Sequence, residues 1–182
     1  MAGRVPGWHD SQYGFRRGRL TVDAVNRVRA IAEAMVSRTG VALAVSFDIT
    51  NAFNAIQWKE IVEALEHFEV PPYLVRIIRA YLDGKWIEYT GRYGEERWPI
   101  ERGVPQGSVL GPILWIVAYD AVLRCPLPPG TGVVYSADDT LVLAGGRWWY
   151  ETLRLAQVTL MCAIQSIRRL GLSVSPAKSE AI

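Results

Sequence analysis

Two adjacent aspartates, Asp138 and Asp139, lie between two short apolar runs at 133–135 and 141–143. Two such runs separated by a few polar residues are typical of a β-hairpin. Adjacent carboxylates in a half-buried hairpin repel each other, and a buried charge is costly unless it is neutralised. The pattern therefore predicts either an ordinary turn, in which Asp is common, or a cation site to which further carboxylates contribute.

Composition narrows the classes of protein. The chain has 182 residues, half of them hydrophobic, which suits one sizeable globular core. Its two cysteines, Cys125 and Cys162, are far apart, so neither a zinc pattern nor a disulfide framework is indicated. The longest apolar stretch, 109–119, is too short for a membrane span and contains Gly111 and Pro112, so no membrane is expected as a partner.

Hydrophobic periodicity predicts the order of helices and strands. Thr21 is expected to cap the first helix, and Ser108 the fourth. The helices are expected over 21–39, 58–68, 73–84, 107–125 and 147–170, with strands over 41–49 and 172–182 and strand–turn–strand units over 85–103 and 133–143.

This order indicates an α+β fold in which helices pack on one face of a small, largely antiparallel sheet. Asp48 ends the apolar strand 41–49. If that strand neighbours the hairpin, Asp48, Asp138 and Asp139 converge on the open side. Carboxylates without His or Cys favour Mg²⁺, with Mn²⁺ as a substitute, and a pair of such ions serves nucleotidyl transfer. Three unrelated turn aspartates are the alternative.

Read in order, "FDITNAFNAIQW", "GVPQGSVLGPILW" and "SADDT" resemble the reverse transcriptases of non-LTR (LINE-type) retrotransposons. "QYGFRRGRLTVDAV" at 12–25 and "GLSVSPAKSE" at 171–180 extend the resemblance over nearly the whole chain. It implies the palm of a right-hand polymerase with partial fingers, and RNA-directed DNA synthesis on an RNA template from a DNA primer with dNTP as substrate. Residues 1–40 would belong to the fingers and 41–182 to the palm, with thumb and endonuclease absent.

The resemblance also implies roles for residues in the palm. Asp48, Asp138 and Asp139 would be the catalytic carboxylates that bind two Mg²⁺ ions, with Asp139 the more peripheral. Phe53 would lie beneath the sugar of the incoming nucleotide and exclude a 2′-hydroxyl. Gln106 and Gly107 of "PQG" would support the template and the nascent base pair; each of these has a plain alternative, core packing for Phe53 and a turn for the loop.

Four basic residues receive roles from the same resemblance. Arg16 would grip the triphosphate, whereas Arg17 and Arg19 would touch nucleic-acid phosphates, with a solvated basic face as the alternative. Lys178 would lie near the leaving pyrophosphate and stabilise its developing charge or donate a proton.

Three positions depart from the family pattern. Ser136 stands where an aromatic usually precedes "ADD", Leu20 replaces a small hydroxyl residue, and Ile116 stands where Asn is common. These departures leave two rivals open. One is a decayed or domesticated fragment that binds nucleic acid or protein without catalysis, and the other is a palm-fold cyclase or two-metal nuclease. A nuclear site of action, at the point of integration, is expected from the family.

Overall fold

The computed structural model describes residues 7–92 and 94–182, so the first six residues of the expected fingers segment lie outside the described part. Six helices and six strands are found there. The helices are α1 (Thr21–Thr39), α2 (Ala52–Ala55), α3 (Trp58–His67), α4 (Pro72–Leu82), α5 (Gly111–Leu123) and α6 (Trp149–Arg169). The strands are β1 (Val41–Ile49), β2 (Trp86–Gly91), β3 (Gly94–Pro99), β4 (Thr131–Ser136), β5 (Asp139–Gly146) and β6 (Val174–Ala181).

Four strands form the main sheet in the order β4-β5-β1-β6, and every neighbouring pair is antiparallel. The expected neighbourhood of β1 and the hairpin is thus confirmed. β2 and β3 form a separate two-stranded hairpin. The two central strands are the most apolar, as expected of strands that are covered on both faces.

Helices cover one face of the sheet along its length. Phe47 of β1 and Val142 of β5 belong to a buried cluster with residues of α3, α5 and α6. α5 is apolar on all sides and almost wholly buried, so it forms the centre of this layer. The expected α+β architecture, with a layer of helices against an antiparallel sheet, is confirmed, while the long helix α1 packs on the other face.

The opposite face carries α1. Because neighbouring residues of a strand point to opposite faces, Leu141 and Leu143 face away from the α5 layer, and they pack with Ala24 and Ile31 of α1. The helix begins near the end of the sheet where β1 ends and β5 begins. That end of the face is left open beside the helix.

The segment before α1 lies along the edge strand β4. Gln12 forms a parallel bridge with Tyr135. The Tyr13 N–H donates to the Tyr135 carbonyl at 2.8 Å, and the Tyr135 N–H donates to the Ser11 carbonyl at 2.9 Å. Gly14 follows against the hairpin turn, where a Cβ would overlap the backbone nitrogen of Ala137. The segment before α1 and the aspartate hairpin are therefore in direct contact.

A buried carboxylate anchors the same segment to α5. Asp120, 2% exposed, accepts a hydrogen bond from the His9 N–H at 3.1 Å and forms a short ion pair with Arg124. Arg124 also donates to the Gly7 carbonyl at 2.7 Å. The carboxylate satisfies a backbone donor and a guanidinium together, which explains how a charge is accommodated there.

Some helix ends differ from expectation. The N-cap of α1 is Leu20, not Thr21. The apolar side chain of Leu20 cannot accept a hydrogen bond from the first turn, but its backbone N–H donates to the Asp23 carboxylate at 2.7 Å. α5 begins at Gly111, three residues after Ser108. The Ser108 hydroxyl accepts a hydrogen bond from the Gly111 N–H at 3.0 Å. α2 was not expected, since four residues carry too little periodicity to predict a helix. In the described ranges no helix is long and apolar enough to cross a membrane.

Candidate active site

The register of the central strands brings Asp48 and Asp139 together. β1 and β5 pair Ser46 with Leu141 and Phe47 with Thr140. Continued by one residue, the same register sets Asp48 opposite Asp139. Since side chains alternate between faces, both point to the open face that Ser46 and Leu141 share. The prediction that Asp48 meets the hairpin is confirmed for these two residues.

Asp138 occupies the turn between β4 and β5. Ser136 pairs with Asp139, so Ala137 and Asp138 form a two-residue turn. Ala137 has φ of 63°, a left-handed conformation that non-glycine residues rarely adopt. Trp115 supports this turn, because its indole N–H donates to the Ala137 carbonyl at 3.2 Å. A buried helix therefore fixes the peptide that immediately precedes Asp138.

Lys178 is brought to Asp48 by an irregular stretch of β6. Ser46 pairs with Glu180 but Asp48 pairs with Ser175, so the register shifts between them. The lysine Nζ lies 2.6 Å from Asp48 Oδ2. This hydrogen bond, with the charge of Asp48 and weaker contributions from the other two aspartates, raises the pKa of Lys178. The cation is thus within electrostatic reach of all three carboxylates.

A cavity of about 370 Å³ lies between α1 and this end of the sheet. Three of the charged or polar groups lining it are Asp48, Asp139 and Lys178. The remaining wall is largely apolar. It is formed by residues of α1 and the adjacent strands: Thr21, Ala24, Val25, Val28, Ser46, Phe47, Val134, Ser136, Thr140 and Leu141.

The electrostatics of the cavity suit a divalent cation. Partial burial raises the pKa of Asp139, and the charges of Asp138 and Asp48 raise it further, while Lys178 opposes the shift. Carboxylate oxygens gathered around a group whose ionised form is disfavoured match a hard cation. Within residues 7–92 and 94–182, however, no group of three or more acidic, His or Cys side chains is positioned as it stands to hold an ion.

The ion pair between Lys178 and Asp48 accounts for why the three aspartates are not already arranged around an ion. The Lys178 ammonium group already neutralises Asp48, and like charges keep the remaining carboxylates apart. The donor set therefore fits a divalent cation in its chemistry, although one oxygen of Asp48 is paired with Lys178 in this structure.

Phe53 lies on α2 within a row of aromatic rings, between Phe15 and Trp115. Its ring stacks on Trp115 at 5.2 Å between centroids, with an interplanar angle of 27°. Phe15 meets its edge at 5.8 Å, and Tyr119 continues the row on the other side of Trp115 at 5.0 Å. The ring packs against the core, as the alternative for Phe53 expects, but it also remains partly exposed to solvent.

The loop that contains Gln106 and Gly107 is fastened to α2 and α3. The Val104 N–H donates to the Phe53 carbonyl at 2.7 Å, and the Trp58 indole donates to the Gly103 carbonyl at 2.7 Å. Gln106 and Gly107 are exposed at its tip, and Gly107 has φ of 80° with open space around it. The tip is thus free to approach a ligand, while its base is rigidly attached beside Phe53.

The three arginines of the first segment lie outside the carboxylate cavity. Arg16 donates through Nη1 to the carbonyls of His9 and Gln12, at 2.9 and 3.1 Å, so it braces its own loop. Arg19 lies over the Tyr13 ring, 4.8 Å from its centroid, and Arg17 is exposed. None of the three lines the carboxylate cavity.

The departures also have structural consequences. Ser136 lines the cavity, whereas Tyr135 points to the other face, is 2% exposed and contacts the Tyr119 ring at 5.6 Å. Tyr135 therefore does not replace the aromatic that the family pattern puts at 136. Ile116 is 3% exposed in the core, and Leu20 is exposed at the start of α1.

Sequence reasoning missed two residues that support the site. Trp115 belongs to the motif "GVPQGSVLGPILW" and Asp120 to the helix predicted over 107–125, but neither is among the residues that the sequence predicts at the site. The signal for Asp120 was a single charge in the apolar run 109–123. No comparable signal marks Trp115, because its partner is 22 residues away in the sequence.

Comparison with known proteins agrees with this geometry. The family model described as "Reverse transcriptase (RNA-dependent DNA polymerase)" matches residues 3–182. A probable RNA-directed DNA polymerase from transposon BS of Drosophila melanogaster is 30% identical over 93% of this chain. A Pol polyprotein from retrotransposable element R1 of Bradysia coprophila is 25% identical over 94%. The chain spans 19% and 17% of the length of these two relatives.

Solved structures show the same fold. A telomerase from Candida albicans, in complex with a fragment of telomeric RNA, aligns with 96% of this chain at a TM-score of 0.71 and 12% identity, and the alignment covers 32% of the telomerase chain. An apo telomerase from Candida tropicalis aligns with 96% at 0.69, covering 33% of its chain. Because the family model matches almost every residue, and the strand register sets Asp48 beside the hairpin aspartates, the chain belongs to the reverse transcriptase family.

Proposed function

We propose that this chain carries the nucleotidyl-transfer centre of an RNA-directed DNA polymerase, which extends a DNA primer on an RNA template. The observation that carries the proposal is the pairing of β1 with β5, which sets Asp48 opposite Asp139 in a cavity that also contains Lys178. The names of the relatives support the same reaction. A nuclear site of action is a further proposal that rests on the likeness to LINE-type retrotransposons.

Asp48, Asp138 and Asp139 would hold two Mg²⁺ ions, for which Mn²⁺ is the substitute. When bound, such ions activate the attacking primer hydroxyl and stabilise the leaving pyrophosphate. The carboxylates supply the negative charge that fixes the ions at this end of the sheet. Burial, and then the charges of Asp138 and Asp48, raise the pKa of Asp139, and a bound cation would relieve this cost.

Lys178 would supply positive charge to the leaving group. Its Nζ lies 2.6 Å from Asp48 Oδ2 and its side chain is exposed. The ammonium group would therefore be available to the pyrophosphate oxygens, where a positive charge stabilises the leaving group. The raised pKa keeps Lys178 protonated at neutral pH, which favours stabilisation of the leaving group by charge over donation of a proton.

Phe53 and the loop at 103–108 would select and align the nucleotide. The Phe53 ring is backed by Trp115, so a 2′-hydroxyl pressed against it meets a rigid surface. Gln106 and Gly107 would contact the nascent base pair from the loop tip. Arg16 would reach the triphosphate with the N–H groups that do not brace its loop, since a guanidinium carries five donors.

Primer extension on an RNA template tests the proposal. The chain is supplied with a DNA primer, dNTPs and Mg²⁺ or Mn²⁺, and Asp138→Asn is compared with Asp10→Asn, which removes an exposed carboxylate outside the cavity. We expect metal-dependent incorporation by the wild type and by Asp10→Asn, and a loss of at least about a hundredfold in Asp138→Asn.

Three outcomes contradict the proposal. Binding of the primer–template without incorporation would favour a non-catalytic fragment. Release of a cyclic nucleotide, or strand cutting without incorporation, would favour a cyclase or a nuclease. Equal activity of Asp138→Asn and the wild type would remove the carboxylates from the chemistry.

A further inference from the structure

Trp115 contacts both halves of the proposed centre. It is fully buried on α5, its ring stacks beneath Phe53, and its indole N–H donates to the carbonyl of Ala137. Phe53 is the proposed sugar-selecting ring, and Ala137 is bonded directly to Asp138. One side chain thus supports a nucleotide-contacting ring on one side and a metal-binding turn on the other.

The turn needs this support. Ala137 has φ of 63°, a conformation that L-residues rarely adopt and that persists only where the surroundings hold it. The segment before α1 presses on it from outside, through Gly14. From inside, the Trp115 hydrogen bond holds the carbonyl at 3.2 Å.

The Phe53 ring depends on support from Trp115 in the same way. α2 has only four residues, so the short helix fixes the side chain poorly by itself. The stacking on Trp115 has a centroid distance of 5.2 Å, which is within the range of favourable aromatic pairs. Tyr119 prevents the indole from moving away, since it stacks on the opposite side and donates to or accepts from Thr140 at 3.1 Å.

We infer that Trp115 is a positioning residue with two separable effects: its hydrogen bond sets the geometry of the turn that carries Asp138, and its ring sets the stiffness of Phe53 and hence the sugar selectivity. The effect on sugar selectivity rests on the proposed function. The effect on the turn concerns cation binding, which can be measured without turnover.

Four variants separate the two effects. Trp115→Phe keeps a ring under Phe53 and removes the N–H donor. Trp115→Leu removes both ring and donor. Phe53→Val removes the sugar-contacting ring alone. Trp98→Phe is the control, because its indole N–H donates to the Tyr89 hydroxyl on the separate β2–β3 hairpin.

Two readouts are compared: the Mn²⁺ midpoint measured by calorimetry, and the ratio of dNTP to rNTP incorporation. We expect Trp115→Phe to bind Mn²⁺ about two- to tenfold more weakly, the effect of one lost hydrogen bond, and to keep the wild-type ratio. Phe53→Val should keep the midpoint and accept ribonucleotides more readily. Trp115→Leu should show both changes, and Trp98→Phe neither.

The inference is overturned if Trp115→Phe binds Mn²⁺ as the wild type does, or if Trp115→Leu keeps the wild-type sugar ratio while Phe53→Val loses it. Should the wild type incorporate no nucleotide, the proposed function fails, and the calorimetric comparison of wild type with Trp115→Phe still decides whether the hydrogen bond sets the turn. A melting curve of each variant checks that the fold is retained. Of the two Trp115 variants, Trp115→Phe keeps more of the packing.

Discussion

At the scale of single residues, Asp139 shows the conflict between stability and chemistry. Its carboxylate faces Asp48 across two paired strands, and it follows Asp138 directly. Without a bound cation, burial and the neighbouring charges make the ionised form unfavourable. The fold therefore carries an unfavourable interaction that a bound cation would relieve.

This conflict predicts a pH-dependent stabilisation by Asp139→Asn. A carboxyl whose pKa is higher in the folded than in the unfolded chain costs stability above its folded pKa and costs none below the unfolded value of 3.8. In EDTA at neutral pH we expect Asp139→Asn to raise Tm by about 1–2 °C, as befits an exposed site in a domain of this size.

The measurement is a series of thermal melts between neutral and acidic pH. The advantage of Asp139→Asn should shrink as the pH falls towards 3.8, the ordinary value for the group. Asp10→Asn, which removes a carboxylate that is almost fully exposed, is the matched control. A lower Tm for Asp139→Asn at neutral pH, or an advantage unaffected by pH, would contradict the assignment.

At the scale of elements, the segment before α1 and the β4–β5 hairpin behave as one unit. The segment bonds to β4 through Ser11 and Tyr13, and it is tied to α5 through Asp120. Tyr13 also packs in the buried cluster that contains Val134 and Leu143. The position of the turn beside Gly14 should therefore respond to changes at Asp120, although that residue lies outside the cavity.

We predict that Asp120→Ala loosens this unit. The variant leaves the His9 N–H and the Arg124 guanidinium without their buried acceptor, a change that costs about 1–3 kcal/mol. Hydrogen exchange should accelerate at residues 9–16 and at the adjacent edge of β4, with α3 and α4 unchanged. Asp83→Ala, at the exposed end of α4, serves as the control. Uniform acceleration over the whole chain would indicate a general loss of stability instead.

At the scale of the whole molecule, cation binding should be visible as added stability. A ligand that binds only the folded chain stabilises it by about 2.7 kcal/mol at a hundredfold excess over Kd. For a domain of this size that corresponds to a rise in Tm of about 5–11 °C. We expect Mn²⁺ to produce such a rise in the wild type and little in the double variant Asp48→Asn with Asp138→Asn.

Ca²⁺ is a useful comparison in the same melts, because it binds oxygen ligands with a longer bond and a more flexible geometry. A rise in Tm of equal size in the wild type and the double variant would show that the ion binds elsewhere on the molecule. The melts need neither primer nor nucleotide, so they test the cation site independently of polymerisation.

Much of this architecture could be predicted from sequence, for reasons visible in particular residues. The bounds of β1, Val41–Ile49, match the expected strand because a continuous apolar run leaves few alternatives. The meeting of Asp48 with the hairpin followed from the order of the motifs. The hydrogen bond from Trp115 to Ala137 could not be predicted, since it depends on how α5 lies under the sheet. The ion pair of Lys178 depends likewise on an irregular strand.

That irregular strand has a second consequence. β6 is the outer strand of the main sheet on the side away from β4, and a regular outer strand offers unpaired backbone groups to any other chain. The register shift beside Asp48 interrupts this row of groups, and the charged Lys178 lies within it. The distortion that delivers a lysine to the carboxylates therefore also discourages edge-to-edge aggregation of the sheet.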